Sequence, residues 1–271
     1  MKIAQIQMSV SSDKAENIRH ACALIRGAAE SGIDMAILPE MFCCPYDNAC
    51  FRAYGETVGG EAQQALSALA KELGIYIVGG SVPELEGGKV YNTGFVFDPK
   101  GDTIARHRKM HLFDIDVKGG QRFMESDTLT AGDDITTFST PWGLMGLCIC
   151  FDLRFEELAR IITLQGAKVL IVPAAFNMTT GPAHWELLFR QRAVDNQVFT
   201  VGTSPARDTA AGYVAYGNSI VCDPWGSIVS RCGEEETVAI TEIDLDRVDE
   251  VRHQLPILPA RRTDIYQCRG L

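Results

Sequence analysis

The amino-acid sequence predicts an α/β fold in which strands and helices pack in layers. Short apolar strand patterns alternate with helical patterns through both halves of the chain. The 271 residues are 46% hydrophobic and 22% charged, which is typical of a soluble globular protein with an ample core. No linker or low-complexity segment divides them, so we expect one domain over residues 1–271.

The first half of the chain predicts four strands and two helices. The first helix begins near Asp13, and Glu16 three residues later completes a pattern typical of a capping box. The second helix begins at Glu61, with apolar residues recurring on one face. Short or alternating apolar runs predict the strands, which are 3–8, 35–38, 75–78 and 91–97.

The second half of the chain repeats this scheme. A buried strand over 146–150 leads to Asp152, which we expect to cap a helix that turns Leu158 and Ile162 inward. Another helix is predicted over about 184–196. The remaining strands are predicted at 169–172, 198–203, 219–223 and 238–243.

Composition narrows the function classes. The formal net charge of -10, from 35 acidic and 25 basic residues, argues against a general nucleic-acid binder. No apolar run approaches the roughly 20 residues that span a bilayer, and residues 1–8 alternate rather than forming a signal peptide. We therefore expect a cytoplasmic protein without membrane contact, whose nine cysteines are reduced thiols.

Cys150 is the candidate nucleophile because it lies where a buried strand stops and a helix begins. A thiol at a helix N-terminus lies at the positive end of the helix dipole, which favours the thiolate. Backbone N–H groups at such a position are also able to stabilise an oxyanion. The alternative is a buried cysteine that acts as a small apolar residue, which is our interpretation of Cys22, Cys148, Cys222 and Cys232.

Glu40 and Lys109 are the candidate acid–base and cationic residues. Glu40 ends an apolar strand, where open α/β sheets place their sites, and a partly buried carboxylate there suits proton transfer. Lys109 follows Arg108 in a basic run, and strand alternation places their side chains on opposite sides, so one of them faces inward. A solvated loop glutamate and a solvated basic run are the structural alternatives.

The order of these three residues along the chain is more informative than any of them alone. Together they resemble the nitrilase, or carbon–nitrogen hydrolase, superfamily, and the resemblance extends from Met1 to Tyr266. Three motifs carry it: Leu38-Pro39-Glu40-Met41-Phe42, Arg108-Lys109-Met110-His111-Leu112-Phe113 and Cys150-Phe151-Asp152-Leu153-Arg154-Phe155. Within the superfamily the chain is most similar to the omega-amidase branch, on segments 111–116, 175–186 and 204–208.

The resemblance implies a four-layer α-β-β-α sandwich of the nitrilase type, with no cofactor and no metal. It also implies a homodimer or higher homo-oligomer, and a second glutamate near the lysine, which corresponds to Glu125. The tail, about 253–271, is expected to contribute to the subunit contact. Its apolar, Pro-rich stretch 255–260 is poor at forming a core of its own. The segment Cys43-Cys44-Pro45-Tyr46 departs from the branch, which often has one small polar residue before Pro-Tyr.

These residue types suit hydrolysis of an amide through a thioester. Cys150 attacks the carbonyl carbon, and Glu40 moves the protons. Lys109 and the backbone N–H of Phe151 stabilise the oxyanion. Glu125 orients Lys109 and the attacking water, or forms only a structural ion pair with that lysine.

By resemblance, the substrate is a small-molecule amide with a carboxylate beside a ketone, such as 2-oxoglutaramate or 2-oxosuccinamate. Such a substrate requires a cation and hydrogen-bond donors beyond the nucleophile. The candidates are Tyr46, Arg154, Thr179 and Arg207. An arginine suits a carboxylate because its planar fork matches two oxygens. A pair between Arg154 and a neighbouring acid is the structural alternative.

Other functions stay open at this point. A deaminated-glutathione amidase, an N-carbamoyl amine hydrolase and a nitrilase share the superfamily's chemistry. A non-catalytic ligand-binding module on the same fold is expected to lose one of the three catalytic residues, and this chain keeps them. A structural zinc site using Cys43, Cys44, Cys50, Cys148 or a histidine lacks paired C-x-x-C elements.

Overall fold

The computed structural model describes residues 1–270 and contains two large β-sheets, helices and a short hairpin. The helices are α1 (Lys14–Ala29), α2 (Asn48–Phe51), α3 (Glu61–Leu73), α4 (Glu156–Leu164), α5 (Gly181–Asn196) and α6 (Asp246–Gln254). The strands of the first half are β1 (Lys2–Gln7), β2 (Met35–Ile37), β3 (Tyr76–Val78), β4 (Val82–Glu86), β5 (Lys89–Phe97), β6 (Thr103–Arg108), β7 (Asp114–Asp116) and β8 (Arg122–Met124). Those of the second half are β9 (Thr136–Thr140), β10 (Gly143–Leu147), β11 (Val169–Pro173), β12 (Phe199–Thr203), β13 (Ile220–Cys222), β14 (Ile228–Arg231) and β15 (Thr237–Glu242).

Each half of the chain supplies three parallel strands at the centre of one sheet. The first sheet has the order β15-β1-β2-β3-β5-β4, with β6 paired to β5, and β1, β2 and β3 are parallel. The second has the order β14-β13-β12-β11-β10-β9, with β10, β11 and β12 parallel. The predicted repetition of the strand–helix scheme therefore gives two sheets with similar parallel centres, and β15 from the second half adds an antiparallel edge strand to the first sheet.

The sheets pack against each other, and helices cover their outer faces. Ile3, Met35 and Ile37 of the first sheet share one buried cluster with Val169 and Ile171 of the second. The intervening residues of β1 and β2 pack instead with α1 and α3, and a third cluster joins the second sheet to α4 and α5. Since successive strand side chains point to opposite faces, apolar residues at both alternate positions bury both faces of the sheet. The predicted four-layer α-β-β-α sandwich is confirmed.

Most predicted helix and strand positions agree with the structure. Asp13 caps α1, its carboxylate accepting a hydrogen bond from the Glu16 N–H at 2.9 Å, and α3 begins at Glu61 as predicted. Three strands at sheet edges, β4, β9 and β14, were not predicted, nor were the short hairpin strands β7 and β8 or the helices α2 and α6. Edge strands carry few buried apolar residues, so their sequence pattern is weak.

The prediction for the segment after β10 was wrong in two respects. The strand ends at Leu147, and Cys150 opens a five-residue 3-10 helix, Cys150–Arg154. Asp152 does not cap α4, which begins at Glu156 without a side-chain cap. The Asp152 carboxylate is instead bound by groups from both sheets, which no local pattern reveals.

The C-terminal tail leaves α6 after Gln254. Ile257 and Tyr266 lie beside the outer surface of α4 and α5 of the same chain, and the Cys268 thiol is 3.8 Å from the Glu157 carbonyl oxygen. Contact between this tail and a second subunit stays a prediction.

Candidate active site

Four of the predicted residues come together where strands of both sheets end. Glu40 follows β2, and Lys109 follows β6, both in the first sheet. Cys150 follows β10 of the second sheet, and Glu125 follows β8 of the small hairpin. All four are buried, at no more than 3% exposure.

The Lys109 ammonium lies between two carboxylates. Its Nζ atom is 2.9 Å from Glu40 Oε1 and 2.9 Å from Glu125 Oε1, and it donates to the Tyr46 hydroxyl oxygen at 3.3 Å. Burial alone favours a neutral amine, but the charges of Glu125 and Glu40 outweigh it and raise the pKa of Lys109. The lysine is therefore a fixed cation. Arg108 points the other way and pairs with Glu84, which confirms the predicted alternation.

Glu40 is held in one orientation by groups that include an unpredicted asparagine. Asn92 Nδ2 donates to Glu40 Oε1 at 2.8 Å, and the Ala175 N–H donates to Oε2 at 2.8 Å. The Tyr46 hydroxyl oxygen lies 3.1 Å from Oε1. Asn92 is fully buried within β5. A buried asparagine between the apolar residues at either end of this strand was the sequence signal that would have identified it.

Glu125 shares its surroundings with Lys109 and Tyr46. Its Oε2 accepts a hydrogen bond from the Phe113 N–H at 2.7 Å, and its Oε1 accepts one from the Tyr46 hydroxyl. Burial raises the pKa of Glu125, with Lys109 opposing this and Glu40 adding to it. This carboxyl group is therefore the one poised to gain a proton if the lysine charge is lost.

Cys150 occupies a strained turn. Its φ of 48° lies in the left-handed region, which residues other than glycine seldom adopt. Burial, followed by the charge of Glu40, raises the pKa of its thiol well above the usual value, although Lys109 opposes this. Burial and the Glu40 charge therefore favour the neutral thiol in the folded protein, contrary to the predicted thiolate, and the thiol needs a base.

Two tyrosines form a wall beside these groups. Tyr46 and Tyr213 stack with ring centroids 4.4 Å apart, and the Tyr213 hydroxyl donates to the Ala175 carbonyl at 2.5 Å. A cavity of about 120 Å³ opens here, lined in part by Glu40 and Cys44. Tyr213 was not predicted, because its loop carries no motif and only the tertiary fold brings it to the site.

Arg154 has the features of a ligand-binding residue whose guanidinium is not paired with an acid in the described part of the chain. Its guanidinium lies 4.8 Å from the Phe176 ring centroid and 5.5 Å from that of Phe151, and its Nη1 contacts His184 Nδ1 at 3.1 Å. Within residues 1–270 no carboxylate pairs with it, and its buried Nε has no hydrogen-bond partner. The alternative of a pair with a neighbouring acid is therefore wrong.

The other predicted substrate residues lie in different settings. Phe151 is half-buried beside the nucleophile. Thr179 is half-buried in a turn whose N–H groups donate to Asn177. The Arg207 guanidinium donates to the Glu234 carboxylate and to the Tyr216 carbonyl oxygen, the latter at 2.8 Å, so its charge is already neutralised.

No group of three or more His, Cys, Asp or Glu side chains suited to a metal occurs in the part of the chain that the structure describes. Along residues 1–270, no helix combines the length and apolar character needed to cross a bilayer.

Comparison with known proteins agrees with this geometry. Residues 2–253 match the carbon-nitrogen hydrolase family model. The chain is 52% identical to the omega-amidase NIT2 of Mus musculus and 50% identical to that of Homo sapiens, each alignment covering 98% of this chain and 96% of the relative. Its fold is similar to that of Saccharomyces cerevisiae Nit3, a member of branch 10 of the nitrilase superfamily. That structure has a TM-score of 0.89 and 40% identity, covering 97% of this chain and 96% of the yeast chain.

Proposed function

The chain belongs to the carbon–nitrogen hydrolase family, and from that premise we propose that it is an omega-amidase. Its substrates are 2-oxoglutaramate and 2-oxosuccinamate, from which it releases ammonia and a dicarboxylate. The observation that carries the proposal is the buried Lys109 ammonium, 2.9 Å from both Glu40 and Glu125 and close enough to Cys150 to influence its thiol. The omega-amidase relatives, about half identical over nearly the whole chain, support the branch.

Acylation uses the neutral thiol. Glu40 takes the proton of Cys150 as Sγ attacks the amide carbon, which forms the C–S bond. The oxyanion is stabilised by Lys109 and the Phe151 backbone N–H, in a buried site where such charge interactions are strong. Glu40 then gives its proton to the amide nitrogen, and the C–N bond breaks. Ammonia departs, and the acyl group stays on Cys150 as a thioester.

In deacylation, Glu40 again accepts a proton and then donates it, now with water as the attacking group and sulfur as the leaving group. Glu40 takes a proton from water as the hydroxyl oxygen attacks the thioester carbon. The C–S bond breaks, and the sulfur recovers a proton from Glu40. Glu125, bound to Lys109 and Tyr46, keeps the ammonium in place through both steps.

The substrate carboxylate is bound by Arg154. Its unpartnered Nε and the lack of a paired acid among residues 1–270 leave the guanidinium free to form a two-pronged ion pair. Thr179 supplies a further hydrogen-bond donor near the substrate, and the Tyr46 ring lines the adjoining cavity. Arg207, which is bound to Glu234, is the weaker candidate for the cation.

The proposal includes a single hydrolase domain over residues 1–271, a homodimer and a cytoplasmic location. Exposed apolar side chains on and near α5 support an oligomer, including Leu187 at 59% and Trp225 at 53% exposure. Nine free cysteines fit a reducing compartment. Sedimentation at micromolar concentration tests the dimer, and a monomeric species contradicts it.

An ammonia-release screen tests the activity. We expect kcat/KM for the two 2-oxo-acid amides to exceed that for glutamine, asparagine, N-carbamoyl amines and aliphatic nitriles. Arg154→Met is expected to raise KM for carboxylated amides and to leave a small uncharged amide unaffected, with Arg207→Met as the matched control. A preference for deaminated glutathione or for a carbamoyl amine contradicts the omega-amidase assignment and leaves the hydrolase chemistry intact.

A further inference from the structure

The Asp152 carboxylate accepts four hydrogen bonds in a buried position. The donors are His107 Nε2 at 3.0 Å, the His111 N–H at 2.9 Å, His111 Nδ1 at 2.8 Å and the Ile149 N–H at 3.0 Å. Asp152 is 1% exposed. Burial by itself raises the pKa of this carboxyl, but the hydrogen bonds from His107 and His111 outweigh it and hold the pKa well below its usual range. The group is an anion with every oxygen occupied.

These donors belong to both sheets. His107 lies in β6, and His111 lies just past it, so the two histidines flank Lys109 in the chain. Ile149 immediately precedes Cys150, beyond the end of β10 in the second sheet. The Asp152 carboxylate is therefore bound on one side to the backbone that carries the ammonium and on the other to the backbone that carries the thiol.

The nucleophile depends on such support. Cys150 has a φ of 48°, and a strained backbone persists only where the surrounding structure holds it. Among the described residues, the hydrogen bonds of the Lys109 side chain go to Glu40, Tyr46 and Glu125, not to Cys150. The distance between ammonium and sulfur is thus set by the two backbones.

We propose that Asp152 is a positioning residue that ties the Lys109 segment to the Cys150 turn and fixes the nucleophile relative to the ammonium. It does not touch the substrate. The inference rests on the hydrolase chemistry proposed above for Cys150 and Lys109. A displacement of about 1 Å between reacting groups lowers rates about 100-fold.

Asp152→Asn tests the proposal with little change in size. The amide presents an NH2 group to donors that need an acceptor, so at least one of the bonds is lost. We expect kcat for the preferred amide to fall about 100-fold, with KM changing less than about threefold. An Asp152→Asn protein that is folded and retains wild-type kcat overturns the proposal.

Glu56→Gln is the matched control. Glu56 is another buried carboxylate, at 7% exposure, and accepts a hydrogen bond from the Ala62 N–H at 3.1 Å at the start of α3. We expect Glu56→Gln to lower Tm while leaving kcat unchanged. If the two variants lower Tm and kcat in parallel, Asp152 acts only on stability and the proposal is wrong.

Alkylation by iodoacetamide gives a readout that does not depend on the natural substrate. Mass spectrometry follows labelling of Cys150, and the half-exposed Cys268 serves as the internal control. We expect Asp152→Asn to slow labelling of Cys150 at least tenfold and to leave labelling of Cys268 unchanged. Equal slowing of both, or of neither, refutes the positioning role.

Two further comparisons keep the test decisive. If Asp152→Asn does not fold, His111→Phe preserves the stack on Phe155, whose centroid is 3.6 Å away, and removes one donor to Asp152. We expect a fall in kcat of about tenfold for this variant, and an unchanged kcat overturns the proposal. If the wild-type enzyme hydrolyses none of the proposed amides, the omega-amidase assignment fails, while alkylation of Cys150 still decides the role of Asp152.

Discussion

Replacing Lys109 with methionine removes the one cation between two buried carboxylates. Methionine retains an unbranched apolar stem of similar length but cannot donate to Glu40 or Glu125, each 2.9 Å from the ammonium. The side chains of all three residues have 0% exposure. Water therefore does not replace the lost ion pairs, and the two carboxylates are left facing each other.

The expected loss of stability follows from that burial. Removing one partner of a buried ion pair costs about 3–5 kcal/mol, which for a chain of this size corresponds to a Tm lower by about 6–20 °C. Glu125, whose pKa burial already raises, takes up a proton when the ammonium is gone. Because the folded state then holds a proton that the unfolded state releases, stability falls as pH rises. The deficit in Tm is expected to be larger at about pH 8 than at about pH 5.

Turnover should change more than binding. Loss of one oxyanion donor lowers kcat about 100- to 1000-fold, and we expect KM of Lys109→Met to change only a few-fold. Ammonia release measures both constants, and thermal unfolding at several pH values measures stability. Lys168→Met is the matched control, because the ion pair of Lys168 with Asp249 is 28% and 62% exposed and is worth at most about 1 kcal/mol.

Two results would refute this reasoning. An effect confined to KM makes Lys109 a binding residue rather than an oxyanion stabiliser. A Tm equal to that of Lys168→Met, without pH dependence, means that the two buried carboxylates do not need the ammonium.

Three other predictions concern the nucleophile, its base and the substrate arginine. Cys150→Ala should abolish ammonia release in a folded protein while Cys148→Ala retains most activity; release by Cys150→Ala at a rate near wild type would show that another group attacks the amide. Asn92→Ala removes a 2.8 Å hydrogen bond to the catalytic carboxylate and should lower kcat about tenfold, so an unchanged kcat makes that bond dispensable. Burial and then the charge of Arg154 lower the pKa of His184, and only neutral His184 accepts the guanidinium N–H. KM for anionic amides should therefore rise only below about pH 6.5. His184→Gln, which keeps a hydrogen-bond acceptor, should flatten that rise in KM. A KM that has already risen at neutral pH counts against a role for His184 protonation.

Local patterns identified most of the architecture and predicted the residues proposed for catalysis. Strand and helix periods depend on neighbouring residues in the chain, so they predicted α1, α3 and the parallel strands of both sheets. The order of Glu40, Lys109 and Cys150 in their motifs predicted the family, which the comparisons confirm. Alternation along the basic run predicted that one of Arg108 and Lys109 faces inward, and the structure shows that it is Lys109.

Only the tertiary structure decided the surroundings of those residues. Asn92, Tyr213 and Asp152 reach the site through contacts between segments far apart in the chain, as in the bond between Asp152 and His107 across 45 positions. The direction of the Cys150 pKa shift likewise came from burial and from the charge of Glu40, which the fold brings close to the thiol. The sequence by itself determined the family and the residues that we propose to carry the chemistry, because motifs and periodicity are local properties. Their charge states and separations were decided by the fold, because desolvation and Coulomb forces depend on distance in space.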